Sequence, residues 1–379
     1  MRILNFIILV SFIFSAKYGE SQELPLFKGQ LSLFSHFNPG NELPWWSGIR
    51  YIPRLNYEVQ LSESRRVDFE ASTNIYGNLG IKNFNEYGTN GRIKPYRLWA
   101  RFYTRQFELR AGLQKINFGS ASLLRPLMWF DQVDPRDPLQ LTDGVWSVLG
   151  RYYFLNNVNI WLWGLYGNKN PKGWELIPTT KNVPEGGGRL QIPVGSGEAA
   201  FTYHHRRADG RSVFEPATEL ERIPENRFGI DARFDRILGY WFEATWKNMK
   251  KKAGLLTNQE ILNIGADYTI NVGNGLTIIM EQLAAAYGVK PFAFDENVTF
   301  SLLNVSYPTG LFDRINYIIY YDWKNGNAYN FINWQKQFDH FTIYVMGYIN
   351  PKQYNIPLQY SENILFAGKG LQLLFVFNH

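Results

Sequence analysis

The sequence predicts an all-β protein: a transmembrane antiparallel β-barrel of about eighteen strands, with sixteen as the alternative count. Segments of about ten residues alternate between apolar and polar side chains and are separated by turn residues, as in membrane barrels. Aromatic residues make up 17% of the 379-residue chain, yet amphipathic helices are hard to find in it. Beyond the N-terminus, no apolar run approaches the roughly 18 residues of a membrane helix.

The N-terminal segment has the features of a secretory signal peptide. Arg2 supplies a positive charge, residues 3–16 are mostly apolar, and Ser21 is a small residue suited to cleavage. The apolar run is short for a bilayer span, so an uncleaved anchor is the weaker alternative. We therefore predict a signal peptide over residues 1–21 and a single barrel domain over residues 22–379. The chain has no cysteine, which excludes disulfides and a lipoprotein anchor.

Alternation with a period of two residues is clearest in eight segments. In residues 50–61 the odd positions, such as Leu55, are mostly apolar, and the even ones, such as Arg54, are mostly polar. The same pattern occurs in residues 66–76, 96–105, 107–117, 228–234, 240–246, 315–321 and 370–379. One face is expected to meet lipid and the other an enclosed lumen. A soluble exported β-sandwich or propeller is the alternative, because such folds also alternate.

The turn segments are of two kinds, and the two kinds alternate along the chain. Short ones occur at residues 62–64, 104–106, 156–157, 195–197, 235–237, 272–274, 307–312 and 336–339. Longer ones occur at residues 38–48, 78–92, 118–143, 168–186, 207–224, 248–257, 288–297, 324–327 and 350–361. Short periplasmic turns and long extracellular loops are typical of bacterial outer-membrane barrels, so an outer membrane of the Gram-negative type is the expected location.

The C-terminal segment supports the same architecture. Its odd positions form one apolar face, made by Leu371, Leu373, Phe375 and Phe377. The segment resembles the terminal strand by which the barrel-assembly machinery recognises its clients, although Asn378 and His379 follow where that pattern favours a terminal aromatic residue. The resemblance implies the assembly machinery as a partner. Outer-membrane lipid and lipopolysaccharide are further expected partners of a barrel in this membrane.

The longest irregular segment is residues 118–143. Pro126, Pro135 and Pro138 exclude a regular helix or a central strand across its middle. The segment is too apolar to be disordered, so we predict that this third external loop folds inward and narrows the barrel. Its charged side chains are expected to face the pore: Arg125, Asp131, Asp134, Arg136 and Asp137.

Two short elements around this loop resemble the alginate-export-like and related porin families. In those families a strand ending in a Trp/Phe-Gly pair leads into a loop with an Asn/Asp-Pro-x-Asp element. Here the elements are Lys115–Gly119 and Asp134–Pro138, with Phe118 and Asp134 in place of the commoner Trp and Asn. The resemblance implies a porin-like barrel and does not extend to a sugar-acid substrate.

Charged side chains on four consecutive predicted strands are expected to line one wall of the lumen. The basic ones are Arg50, Arg54, Arg66, Arg97, Arg101, Arg105 and Arg110, and the acidic ones are Asp68, Glu70 and Glu108. Opposed charges across a constriction orient charged solutes, and the excess of arginine predicts a mild preference for anions. The alternative is a salt-bridged scaffold that only fills the lumen.

Motifs for catalysis, metal binding or nucleic-acid binding were not found. The five histidines lack metal-ligand spacing, and no hydrolase, phosphate-loop or cysteine-nucleophile motif occurs. We therefore predict no enzyme activity, no metal and no cofactor. The pI is about 9.2, but the basic residues alternate along strands, so nucleic acid is not an expected partner. The run Lys250–Lys252 is interpreted as solvated surface on an external loop.

The leading functional hypothesis is a passive outer-membrane channel for small hydrophilic solutes, with anions favoured. One alternative is a barrel plugged by its own loop that docks a partner in a surface complex. A lipid-modifying barrel enzyme is less favoured and would use Ser120 or Ser122 with a histidine. The oligomeric state stays open, with a homo-oligomer as one alternative.

Overall fold

A computed structural model describes residues 25–213, 220–352 and 366–379, so the predicted signal peptide lies outside the described residues. The strands are β1 Leu26–Phe37, β2 Trp45–Ser62, β3 Arg65–Asn83, β4 Glu86–Tyr103, β5 Phe107–Gln114, β6 Val145–Tyr153, β7 Asn159–Leu165, β8 Glu185–Val194, β9 Gly197–Ala208, β10 Ile223–Asp235, β11 Gly239–Met249, β12 Asn258–Ile270, β13 Leu276–Gly288, β14 Glu296–Pro308, β15 Asp313–Asp322, β16 Asn327–Gln337, β17 Phe341–Ile349 and β18 Lys369–Asn378. Two short 3-10 helices cover Gly210–Ser212 and Gly254–Thr257. Within the described ranges, no helix has the length and apolar character needed to cross a membrane.

The eighteen strands form one closed antiparallel sheet, which confirms the predicted fold and the higher of the two strand counts. Each strand pairs with the next along the chain, and β18 pairs with β1 from Gln30↔Asn378 to Phe37↔Leu371. Beyond this ladder, Gly29 and His379 exchange backbone hydrogen bonds of 2.9 and 3.0 Å. Closure leaves the sheet without an unpaired first or last strand, as a membrane requires.

The two ends of the barrel differ as predicted, except at one loop. All eight predicted short turns connect strands at one end, and the connections at the other end are mostly longer. The predicted loop at residues 78–92 is wrong, because β3 and β4 continue through it and only Phe84 and Asn85 separate them. A glycine of this hairpin permits close packing against the neighbouring strand β2. A Cβ atom at Gly80 would lie 2.6 Å from the ring of Trp46, so glycine here makes room for the indole.

The two faces of the wall meet different surroundings. Outward side chains such as Leu55, Ile93 and Leu162 are exposed, and no second layer of the described chain covers them. Inward side chains on the same wall include fully buried residues such as Leu283 and Tyr320. The packed core therefore lies inside the barrel, and the apolar outer face is the one that suits acyl chains.

Candidate functional site

The interior of the barrel is occupied by two loops from its longer-loop end. Loop L3, residues 115–144, connects β5 to β6, and loop L4, residues 166–184, connects β7 to β8. L3 has no helix or strand of its own. Its Ser120 hydroxyl donates to the carboxylate of Asp231 on β10, at 2.7 Å. Since β10 lies five strands from β5 around the barrel, L3 crosses the interior, and the predicted inward fold is confirmed.

Two inward carboxylates hold the backbone of L3. Glu243 on β11 accepts hydrogen bonds from the backbone N–H of Ala121, at 2.9 Å, and of Leu127. Glu281 on β13 accepts from the three consecutive N–H groups of residues 122–124, at distances between 2.6 and 3.3 Å. An irregular segment away from water must pair its N–H groups, and bonds to a carboxylate are stronger than neutral ones. These two glutamates therefore fix the loop against the far wall.

The apolar half of L3 packs against the inner wall, as predicted from its composition. Phe118, Leu127, Trp129 and Phe130 are buried in one cluster with side chains of β6 and β7. Leu124 and, from L4, Trp174 are buried in a second cluster on the inner face of β12 to β17, with Ile261, Leu283, Ala285, Phe300, Leu302, Ile318, Tyr320, Tyr329, Phe331 and Tyr348. This half of the barrel interior is packed like a protein core.

The charged side chains of L3 that were expected to face the pore bond mainly within the loop, whereas Asp143 at its end pairs with Lys94 on β4 at 2.6 Å. Arg125 pairs with Asp131 at 2.9 Å, and both are buried. Arg136 is also buried and pairs with Asp134 at 2.5 Å, while its guanidinium lies 4.6 Å from the ring centre of Phe366. The expectation that these residues face the pore is wrong for Arg125, Asp131 and Arg136. Asp134 keeps 32% of its side chain exposed.

Asp137 likewise serves the loop backbone. Its carboxylate accepts from the N–H groups of Leu139, at 2.9 Å, and Leu141, at 3.1 Å. Burial raises the pKa of Asp137, and these two hydrogen bonds oppose part of that rise. Burial also lowers the pKa of Lys115, at the start of the loop. The predicted opposition between loop acids and a wall of arginines is therefore replaced by bonds inside the loop.

The inner wall of β2 to β5 carries most of the predicted arginines in pairs with acids. The pairs are Arg54–Glu70 at 3.4 Å, Arg66–Glu58 at 3.2 Å, Arg101–Asp68 at 2.6 Å and Arg110–Glu108 at 3.0 Å. Arg54 and Arg66 keep 45% of their side chains exposed, and Arg101 keeps 26%. This wall, unlike the packed interior of β12 to β17, therefore has charges open to water.

Several guanidinium groups of this wall lie over aromatic rings. Arg110 is 4.7 Å from the ring centre of Trp99, and Arg101 is 4.6 Å from that of Tyr103. Arg151 on β6 lies 3.8 Å from the ring centre of Trp161 and 3.7 Å from Glu108. Each guanidinium is close enough to its ring for a cation–π attraction. The sequence interpretation missed Arg151, although it shares one face of β6 with the buried Leu149 and alternates with the exposed Tyr152.

Three predicted wall residues have other surroundings. Arg97 is buried and donates to the carbonyl of Thr142 at 2.9 Å, so it holds the end of L3. Arg105 lies outside the strands, exposed in the short turn after β4, because Thr104 caps that turn. Arg50 lies 5.5 Å from the ring centre of Tyr76, and no carboxylate of the described chain is within salt-bridge distance of it.

L4 brings a buried ionic network that the sequence interpretation missed. Its Glu175 contacts Arg206 at 3.0 Å and Arg227 at 2.7 Å, and Glu225 contacts both arginines at 2.7 Å. Lys172 adds contacts of 3.6 Å to Glu175 and 3.4 Å to Glu185. Burial alone would raise the pKa of Glu175, but attraction to Arg206, Lys172 and Arg227 outweighs it and lowers the pKa. The alternation on β9 and β10 predicts that Arg206, Glu225 and Arg227 face inward. Nothing in the sequence around Glu175, however, predicts that this L4 residue reaches them.

The residues named for the enzyme alternative are bonded in other ways. Ser120 donates to Asp231, an acid that also pairs with Arg189. His204 lies between Glu185, at 3.2 Å, and the indole N–H of Trp163, at 3.2 Å. Within the residues that the structure describes, no group of three His, Cys, Asp or Glu side chains could hold a metal ion. None of these contacts forms the Ser–His pair that a serine hydrolase needs.

The sequence matches no family model and no curated protein, so the resemblance to alginate-export-like porins stays a prediction. Solved structures do match it. Acinetobacter baumannii OccAB4 aligns over 96% of this chain and 100% of its own, with a TM-score of 0.55 and 10% identity. Salmonella typhi OmpF, in complex with daunomycin, aligns over 96% and 99%, with a TM-score of 0.52 and 9% identity. The chain has the fold of a bacterial outer-membrane porin.

A third structural neighbour is the outer-membrane protein OmpT of Vibrio cholerae, in its trimer form. It aligns over 94% of this chain and 99% of its own, with a TM-score of 0.52 and 11% identity. At such low identity the likeness concerns the fold alone, because one barrel architecture serves many functions. Function therefore has to be argued from the lumen of this chain.

Proposed function

We propose that this protein is a passive channel in an outer membrane of the Gram-negative type. Small hydrophilic solutes would diffuse through the part of the lumen that L3 leaves open, along the wall of β2 to β6. The observation that carries the proposal is the contrast inside the barrel. One wall is covered by the packed loops, and the other presents ionic side chains that are 11 to 45% exposed. No enzyme activity is part of the proposal.

Water beside the charged wall is the physical basis of conduction. Ionised side chains inside a barrel need partners or water, and the pairs on this wall leave part of each side chain uncovered. A barrel of sixteen to eighteen strands is wide enough to enclose an aqueous channel. L3 then narrows that channel by filling the side of β10 to β17, where its carboxylate bonds hold it.

The same wall supports a preference for anions. Its basic residues are Arg50, Arg54, Arg66, Arg101, Arg110 and Arg151, and its acids are Glu58, Asp68, Glu70 and Glu108. Cations outnumber acids on this wall, and no carboxylate of the described residues lies within salt-bridge distance of Arg50. A positive surplus along a narrow aqueous path raises the local concentration of anions.

Selectivity is the property that tests this wall. In the double variant Arg54→Gln/Arg66→Gln, we expect the anion-to-cation permeability ratio to fall roughly two- to five-fold, since a unit charge at about 4 Å in water is worth about 1 kcal/mol. Reversal potentials across a salt gradient in planar bilayers measure it. Arg222→Gln, on an external loop, is the matched control. An unchanged reversal potential in the double variant would refute the lumen assignment.

A barrel plugged by its own loops is the second candidate, and the packed clusters of L3 and L4 favour it. Such a barrel would present its external loops to a partner and would pass no current. The two candidates differ in a single property of the unmodified protein, because only the channel conducts.

A further inference from the structure

A cavity of about 160 Å³ lies between L3 and the inner wall of β15 to β17. Its loop side is formed by residues 135–138 and Gln140. The wall side is formed by Arg314, Asn316, Asn333, Gln335 and Tyr344, together with Ile318, Phe331 and Met346. The cavity is smaller than the roughly 300–1,000 Å³ of pockets for drug-sized ligands, so it suits a ligand no larger than a monosaccharide.

The polar residues of the wall form one contiguous patch. Asn316 on β15 is directly opposite Asn333 on β16, and Arg314 is opposite Gln335. Gln335 is in turn opposite Tyr344 on β17. Directly opposed residues on one face of a sheet have Cβ atoms about 4.5–5.5 Å apart, so these side chains are neighbours within reach of one small molecule. The patch therefore presents several hydrogen-bonding groups to one molecule.

The chemistry of the patch is that of uncharged amides. A side-chain amide both donates and accepts hydrogen bonds, as a hydroxyl group does, so amides match polyhydroxylated ligands. The buried carbonyl oxygen of Asn333 has no hydrogen-bond partner in the described chain. Buried polar atoms are nearly always bonded, so this oxygen is an unused acceptor on a side chain that lines the cavity.

The charges at the cavity do not favour an ionic ligand. Asp137 from the loop opposes Arg314 from the wall across the same space. Arg136 is already paired with Asp134. The apolar side chains Ile318 and Met346 add a surface for the C–H groups of a ring. This combination of amides, balanced charges and apolar contacts is suited to a neutral, hydroxylated molecule.

We propose that this cavity is a binding site for a neutral polyhydroxylated solute of monosaccharide size, beside the conducting path. The inference rests on the proposed function, because the solute reaches the cavity through the lumen. Bound solute would bridge the amides of Asn316 and Asn333 and the side chain of Gln140. A solute that passes through the channel must dissociate from the site, so binding must be weak. We therefore expect a dissociation constant on the order of 1 mM.

Binding is tested on the full, detergent-solubilised chain by saturation-transfer NMR with glucose as the probe, which needs no conduction. We expect binding to weaken about ten-fold in Asn316→Leu, from lost hydrogen bonds, and also in the smaller replacement Asn333→Ala. Asn56→Leu, an inward amide on β2, is the matched control and should bind as the unmodified protein does. Heat-modifiable gel mobility verifies that each variant is folded.

The outcomes separate this inference from the proposed function. Glucose binding that is absent, or equal in all variants, overturns the site even when the channel conducts. Stronger binding of gluconate than of glucose overturns the neutral class, because Arg314 would then be recognising a carboxylate. Glucose binding in a protein that passes no current supports the site and refutes the channel.

Discussion

Deletion of residues 123–137 is expected to raise the single-channel conductance roughly two- to five-fold, because an obstruction across the lumen is removed. The deleted stretch includes two of the three N–H groups held by Glu281 and the apolar side chains Leu124 and Leu127 that pack inside the barrel. The barrel itself should remain closed, since its strands pair only with one another. Planar-bilayer recordings in symmetrical salt measure the change.

A less disruptive variant tests the same obstruction. Glu243→Gln/Glu281→Gln keeps the shape of both side chains but removes the charge that strengthens their bonds to the loop backbone. We expect more frequent transitions to a higher conductance level than in the unmodified protein. Glu58→Gln, on the β2 wall away from L3, is the control. Conductance that is the same in the deletion and the unmodified chain would mean that L3 does not limit the pore.

Removal of Glu225 should give the largest loss of stability among single substitutions. Glu225→Leu would leave Arg206 and Arg227 buried with only Glu175 between them. Removing one partner of a buried ion pair costs about 3–5 kcal/mol, because the remaining charge stays out of water. Urea titration of the heat-modifiable gel band measures the free energy of unfolding. The exposed Glu221→Leu is the control, with an expected cost of about 0–1 kcal/mol.

A second substitution distinguishes an unpaired charge from a simple packing defect. Adding Arg206→Met to Glu225→Leu removes one of the stranded cations, so the double variant should be more stable than the sum of the two single changes implies. Additive effects would show that the network contributes through shape alone.

The fold could be predicted from the sequence because strand alternation and turn length are local properties. The alternation in residues 50–61 and 228–234 is set by which solvent each face meets, so it is visible without knowledge of partners. The prediction of a long loop at residues 78–92, where β3 and β4 form a hairpin, was wrong for a local reason too. The glycines of this hairpin resemble loop residues in composition, and the close approach of the Trp46 ring to Gly80 is visible only in the structure.

The interior was only partly predictable. The prolines and apolar residues of L3 correctly indicated an inward loop. The prolines exclude a regular strand, and the apolar side chains are unfavourable in water. Which charges it would expose was not predictable, because its bonds to Glu243 and Glu281 join residues more than 100 positions apart. The pairing of Glu175 with Arg206 was not predictable for the same reason. The two residues come from L4 and β9 and meet only after the barrel closes.

The central claim is that an aqueous path remains open between the loops and the charged wall of β2 to β6. The most direct measurement is the single-channel current of the unmodified protein, with its reversal potential across a salt gradient. If the path is open, we expect discrete current steps and a reversal potential on the anion-selective side. A correctly folded protein that passes no current would contradict it and would favour the plugged barrel.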